Sequence, residues 1–245
     1  MSEGLPTPPV ATECANVVRE TGFCFVRGER MRREMAEVGS LEDWAAFAAS
    51  WDNLGPDAYL AQTGRARRRR HAVFSWRDGA LHRSPHQPHY QAVTYNTLQG
   101  GLERWFEPIT EDVADGASMR TLVGFACRFF GALAPAVSTW RIEVHQFRIE
   151  AQLGMPGEPT PEGVHRDGVD YVLVAMVDRR NIASGTTTIH SLEGETLGSF
   201  TLADALDAAL VDDARVFHGV TPVEALDPAQ PAHRDVLVVT LRRSD

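Results

Sequence analysis

Apolar and polar positions divide this chain into two halves with different periods. Up to about residue 135 the longer patterns have helical spacing, and beyond it the period falls to two. "TECANVVRETG" (12–22) predicts a helix with Thr12 as N-cap and Gly22 just past its end. "FCFV" (23–26) reads as a short strand. "SLEDWAAFAASW" (40–51) opens with Ser40 and Asp43 in an acidic variant of the capping box and continues as an apolar helix. Residues 67–76 are strand-like, and 88–101 read as a strand running into a turn. "DGASMRTLVGFACRFFGALAP" (115–135) is the longest helical pattern, beginning near Ser118 and stopping before Pro135. "TWRIEVHQFRIEAQ" (139–152) then alternates as a half-buried strand should. Strand candidates follow at 169–177, 185–191, 214–217 and 234–242, with turn-forming clusters such as "MPGEPTPEG" and "DPAQPAH" between them. The expected architecture is α+β, mainly β: one domain over 1–245, a β-sandwich or barrel with helices packed outside. Residues 1–10 are Pro-rich and expected to be disordered or loosely docked. No internal repeat or linker suggests a second domain.

Composition narrows the setting. With 43% hydrophobic and 23% charged residues, the 245-residue chain is ordinary for a soluble globular protein. No window approaches the roughly 18–20 apolar residues of a membrane span. The N-terminus lacks the basic and apolar regions of a secretory signal, so a cytoplasmic location is expected. All 24 positive residues are arginine, yet the net charge of −9 argues against a nucleic-acid-binding surface. Cys14, Cys24 and Cys127 form no CxxC or zinc spacing, and no disulfide framework is expected. Oligomeric state is left open, a homo-oligomer included.

The candidate chemistry begins at "EGVHRDGVDYVLVAMV" (162–177). His165 and Asp167 are one residue apart at the mouth of an apolar strand pattern. In an extended segment both side chains point to one face. A lone HxD is more often a solvated loop, but two further features change its weight. "RVFHGVTPV" (215–223) places His218 at the end of another strand pattern, 53 residues after His165. Two histidines and a carboxylate on one side of a metal leave open positions, as in non-haem Fe(II) oxygenases. "HRDVLVVTLRR" (233–243) then puts Arg234 at the start of the last strand, where a guanidinium can pair bidentately with a carboxylate.

Together with "YNTLQGGLERWFEPI" (95–109), "HQFRIEA" (145–151), "HRDG" (165–168), "FHGVTP" (217–222) and "HRDVLVVT" (233–240), this order resembles the Fe(II)/2-oxoglutarate-dependent dioxygenases. The likeness is to the bacterial group that hydroxylates free aliphatic amino acids, the L-isoleucine dioxygenase type. It runs from about residue 90 to the end, and residues 1–60 add little. The resemblance implies a double-stranded β-helix, or jelly roll, over about 90–243. It implies Fe(II) on His165, Asp167 and His218, 2-oxoglutarate as cosubstrate on Arg234, and O2 as oxidant. The substrate implied is a small amino acid or derivative, free, N-modified or carrier-bound. Arg104 is the first candidate for a substrate carboxylate, the alternative being a surface ion pair with Glu103 or Glu107. Arg148 shares a strand face with Gln146, and both line the site if that face is the interior. Two rivals stay in view: a non-catalytic jelly-roll protein binding a metal or small ligand, and a zinc hydrolase, for which no general base is evident.

Other conspicuous features read as structural. The run Arg67–Arg70 fits a solvated strand edge, with one inward-facing arginine among Arg67 and Arg69 as the alternative. His71, His82, His86 and His89 form a loose set that could bind a metal though its spacing fits no recognised site; the region could also form a substrate-covering loop, and surface histidines are the favoured reading, while His145 and His190 read as structural strand histidines. Trp44, Trp51, Trp76, Trp105 and Trp140 are expected in packing roles.

Overall fold

Alternation along Trp140–Ala151, shifted once at His145–Gln146, gives a strand two usable faces, and here most of both is covered. The structure is a computed structural model and describes residues 10–62, 65–96, 98 and 100–244. Its helices are α1 (Val10–Thr21), α2 (Gly28–Ala36), α3 (Trp44–Ala49), α4 (Ala58–Ala61), α5 (Glu111–Ala114) and α6 (Ala117–Leu133). Its strands before α6 are β1 (Phe23–Val26), β2 (Arg68–Arg77), β3 (Ala80–Arg83), β4 (His89–Tyr90) and β5 (Glu103–Arg104). After α6 come β6 (Trp140–Ala151), β7 (Tyr171–Arg180), β8 (Ile182–Ser184), β9 (Thr186–His190), β10 (Thr196–Thr201), β11 (Ala208–Asp212), β12 (Phe217–Val220), β13 (Val223–Ala225) and β14 (Ala232–Arg243).

The fold is mainly β. A seven-stranded antiparallel sheet runs β1-β11-β7-β14-β6-β2-β3. A three-stranded sheet runs β10-β9-β12. On one face of the large sheet, Ile142, Val144, Leu173, Leu237, Val239 and Leu241 share the largest core cluster with Met31 of α2, Phe47 of α3 and Phe130 of α6. The opposite face, with Val172, Ala209 and Val211, packs against Ile189 and Phe200 of the small sheet. Helices therefore cover one side of the large sheet, and a second sheet faces the other.

Local differences from the sequence expectation have physical causes. Helix α1 starts at Val10, so Thr12 lies inside it, while Gly22 ends it at φ 86° as expected. The expectation for residues 1–9 lies outside the described residues. Asp43 precedes α3 but makes no side-chain capping bond there. Its carboxylate instead accepts from the Ser118 backbone N–H (2.8 Å) and Ser118 hydroxyl (2.5 Å), capping α6 from outside. Gly116, the N-cap residue of α6, has no side chain to do this. Cys14 and Cys24 are disulfide-bonded across α1 and β1, Cα atoms 5.7 Å apart, a pairing their scattered spacing did not disclose. Cys127 is buried and free. No helix among the described residues is long and apolar enough to cross a membrane.

Candidate functional site

Two backbone hydrogen bonds bring the candidate ligands together. His165 and His218 exchange N–H···O=C bonds of 2.9 Å, and their ring centroids lie 4.6 Å apart. Asp167, two residues on, returns to the same point. Its Oδ1 is 3.6 Å from His165 Nε2, and its Oδ2 is 3.6 Å from His218 Nε2. The His165 Nδ1–H donates to the Gly163 carbonyl (3.0 Å), which leaves the Nε2 lone pair directed at the cluster. Asp213 clamps the loop behind it, accepting from the backbone N–H groups of Asp167 (2.9 Å), Gly168 (2.8 Å) and Val169 (3.1 Å). Its Oδ1 stands 4.0 Å from His218 Nδ1.

The electrostatics suit a cation. Burial works against charge on His165, yet the Asp167 and Glu162 carboxylates raise it to about 9. Burial likewise opposes ionisation of Asp167, but the His165 hydrogen bond and the charge of His218 hold it well below the usual carboxylate range. Burial, then repulsion from His165, lowers His218 to about 4. Two imidazoles and a carboxylate thus compete to share a proton where a divalent ion would satisfy all three. Their ligand atoms lie within 4.8 Å of one another. The donor set and spacing fit a 2-His-1-carboxylate metal centre.

This cluster lines a cavity of about 260 Å³ between the two sheets. Arg234 enters it from β14. It is 3% exposed, and no described residue hydrogen-bonds its guanidinium. Arg179 sits directly opposite on β7, and its buried Nη1 also lacks a partner. Burial, then the charge of Arg179, lowers Arg234 to about 10 against the opposing pull of Asp235. The Asp235 carboxylate is itself taken up by two hydrogen bonds from Arg148. A buried guanidinium that faces another is costly unless an anion joins them.

The remaining sequence candidates separate. Arg104 lines the cavity from β5 and is 2% exposed, so it is not a surface residue. Gln146 and Arg148 do not reach the cavity. Their face of β6 points to the helices: Gln146 Nε2 donates to Ser50 Oγ (2.8 Å), and Arg148 pairs with Asp235 (2.8 and 2.6 Å) and Asp52 (2.8 Å). The interior face carries Glu143, His145 and Phe147 instead. Arg67 and Arg69 are not a solvated edge. Both line the cavity wall and share the fully buried Asp57 (2.9 and 3.3 Å). The unpredicted polar group is His71, His89, Glu143 and His145, gathered from β2, β4 and β6. Its sequence signals were the loose histidine set that holds His71 and His89, and Glu143 and His145 at i and i+2 of the long strand.

Residues 48–240 match the family model described as 2OG-Fe dioxygenase. The chain belongs to the 2OG-Fe dioxygenase family. As an enzyme of this family the dioxygenase uses Fe(II), 2-oxoglutarate and O2, and the resemblance read from its motifs holds. It is 25% identical over 243 residues to 3(1)-hydroxy-L-isoleucine 4-dioxygenase of Pantoea ananatis (strain AJ13355), covering 95% of this chain and 96% of the relative. Among solved structures, a BsmA homologue from Methylobium petroleophilum PM1 has TM-score 0.87 and 36% identity over 98% of this chain and 95% of its own. IDO from Bacillus thuringiensis has TM-score 0.78 over 96% and 100% of the two chains, at 20% identity, which speaks to the fold alone.

Proposed function

We propose that this dioxygenase hydroxylates an unactivated C–H bond of a small amino acid or close derivative on a double-stranded β-helix. One O2 and one 2-oxoglutarate are consumed per turnover, and hydroxylated product, succinate and CO2 are released. The facing antiparallel sheets support the fold name, and the isoleucine-derivative activity of the Pantoea relative supports the substrate class. The observation that carries the reading is the buried Arg234, without a hydrogen-bond partner among the described residues, in the same cavity as His165, Asp167 and His218.

Each residue then has a task. His165 and His218 through Nε2, with the Asp167 carboxylate, would hold the metal on one side and leave the cavity side open. Arg234 would pair with the distal carboxylate of 2-oxoglutarate. When bound, iron and 2-oxoglutarate supply the oxidising chemistry, placing one oxygen atom in product and the other in succinate. The chain supplies position and dryness. Val172, Val174, Val211, Val236 and Val238 line the cavity and exclude water around the target carbon. Arg104 binds the substrate carboxylate from the β5 side. Asp213 fixes the loop that carries Asp167, so the ligand is preorganised.

The test is succinate formation from 2-oxoglutarate with Fe(II) and ascorbate, across aliphatic L-amino acids and their N-acyl forms. The expected result is succinate that rises with one group of substrates, alongside a product one oxygen heavier. His165→Ala and His218→Ala should abolish it. Turnover surviving in either variant rejects the metal assignment. An iron-loaded, folded protein that never decarboxylates 2-oxoglutarate returns the question to a non-catalytic ligand binder.

A further inference from the structure

We propose that His89, held in one tautomer by Glu143, is a substrate-positioning residue whose Nε2 accepts a hydrogen bond from the substrate's free amino group. The inference rests on the hydroxylase reading and adds a recognition element to the cavity wall.

The geometry begins with a crowded carboxylate. Glu143 is the acidic residue of the buried imidazole group on the interior wall, and it would suit an ammonium if its lone pairs were free. Oε1 accepts from Arg141 Nε (3.2 Å) and Nη2 (3.0 Å). Oε2 meets His89 Nδ1 (2.5 Å) and stands 3.3 Å from His71 Nε2. Three hydrogen bonds and a fourth close nitrogen around two oxygens leave no room for another donor. Glu143 therefore acts through a neighbour.

That neighbour is fixed by elementary donor and acceptor rules. An ionised carboxylate only accepts, so His89 Nδ1 carries the proton and Nε2 carries the lone pair. No described residue hydrogen-bonds Nε2, and His89 lines the cavity. Burial keeps the ring neutral, lowering it to about 4. His145 cannot play the same part. Its Nδ1 accepts from the Arg69 guanidinium (2.8 Å), which forces the proton onto Nε2 and makes it a donor. The same constraint rules out a metal bound through His145 Nε2.

Charge and placement select an amino group among possible donors. An imidazole backed by a carboxylate presents an acceptor with a negative charge behind it, which suits a cationic donor better than a neutral hydroxyl. His89 also pairs directly with Arg104 across β4 and β5. Side chains directly opposite in an antiparallel pair start about 4.5–5.5 Å apart at Cβ. Both side chains line the cavity and the Arg104 charge acts on His89, so an acceptor and a guanidinium stand side by side for the adjoining ammonium and carboxylate of an α-amino acid.

The experiment compares each aliphatic L-amino acid with its 2-hydroxy acid and N-acetyl counterparts, in the iron-loaded enzyme and in His89→Leu and Glu143→Gln. Coupled hydroxylation, uncoupled succinate formation and calorimetric substrate binding are read together. The wild type should favour the free amino acid, and His89→Leu should weaken its binding by roughly 10- to 100-fold. That loss should shrink the preference over the 2-hydroxy acid to within about threefold, on the view that the lost bond belonged to the amino group. Glu143→Gln, which never touches substrate, should raise KM for the amino acid while leaving the 2-oxoglutarate requirement unchanged. Glu143→Asp should restore part of the effect. Equal losses for amino and hydroxy acids, or hydroxylation of N-acetyl forms as good as of free ones, overturn the inference while uncoupled turnover keeps the hydroxylase reading intact. Absence of all 2-oxoglutarate turnover overturns the hydroxylase reading, and this inference with it.

Discussion

Replacing Arg148 with methionine should cost stability and spare the chemistry. Its partner Asp235 is 1% exposed and receives two guanidinium hydrogen bonds, at 2.8 and 2.6 Å. Methionine keeps most of the aliphatic stem and removes both bonds. Breaking a buried pair from one side typically costs about 3–5 kcal/mol, because the other charge is left without a partner. Protonation sets a ceiling on that loss. At pH 7, taking a carboxylate from an ordinary pKa near 3.9 to its neutral form costs about 4 kcal/mol at 1.36 kcal/mol per unit. The expected loss is therefore about 3–4 kcal/mol, or a Tm lower by roughly 6–16 °C for a chain of this size. At pH 5 the ceiling falls to about 1.5 kcal/mol, so the gap between variant and wild type should narrow on acidification. Urea or thermal unfolding at both pH values measures this, with substrate and 2-oxoglutarate KM taken in parallel. Unchanged stability with weakened substrate binding would refute the reasoning and put Arg148 in the cavity after all.

Arg234→Met should raise the 2-oxoglutarate concentration required by about 100-fold, the scale of a lost charge-assisted pair, while metal analysis finds iron retained. The same change removes a buried charge with no hydrogen-bond partner among the described residues, so the ligand-free protein should melt higher than wild type. Asp43→Ala removes the cap of α6 and should cost about 1 kcal/mol, read as a lower urea midpoint with unchanged KM values. Acid should destabilise the protein early. His89 is lowered to about 4, and His71 and His145 are lowered too, each mainly by burial. At these three positions the unfolded chain binds protons first as pH falls below about 6.5, so their contribution to stability is full above that value and drops toward pH 4. His89→Gln should flatten part of that slope in denaturation measured from pH 7 to 4.

What could be seen in the sequence depended on whether one face of an element meets water. The alternation of β6, the apolar pattern of α6 and the last strand were legible because their patterns are long. The spacing of His165, Asp167 and His218 was legible because i and i+2 of an extended segment share a face whatever lies around them. Which face of β6 is interior was not. Helices bury one side and the cavity the other, so Gln146 and Arg148 looked as eligible as Glu143 and His145. Short elements also escaped. β11 is five residues of small and branched side chains after a turn, and α2 owes its place to Met31 and Met35 within a highly charged run. The imidazole group gathers residues 71, 89 and 145 from three strands, and only pairing register brings them together.

The arginine pair across β7 and β14 has a consequence for the life of the protein as well as for its reaction. Arg179 and Arg234 sit in register on neighbouring strands and the charge of Arg179 opposes that of Arg234, a repulsion that a bound carboxylate would relieve. A ligand that binds only the folded state at about 100 times its Kd stabilises it by about 2.7 kcal/mol. Protein abundance in a cell responds to differences of that size, because unfolded molecules are continuously removed. An oxo-acid cosubstrate would then set how long each enzyme molecule survives: scarcity would thin the population by proteolysis, and plenty would preserve it.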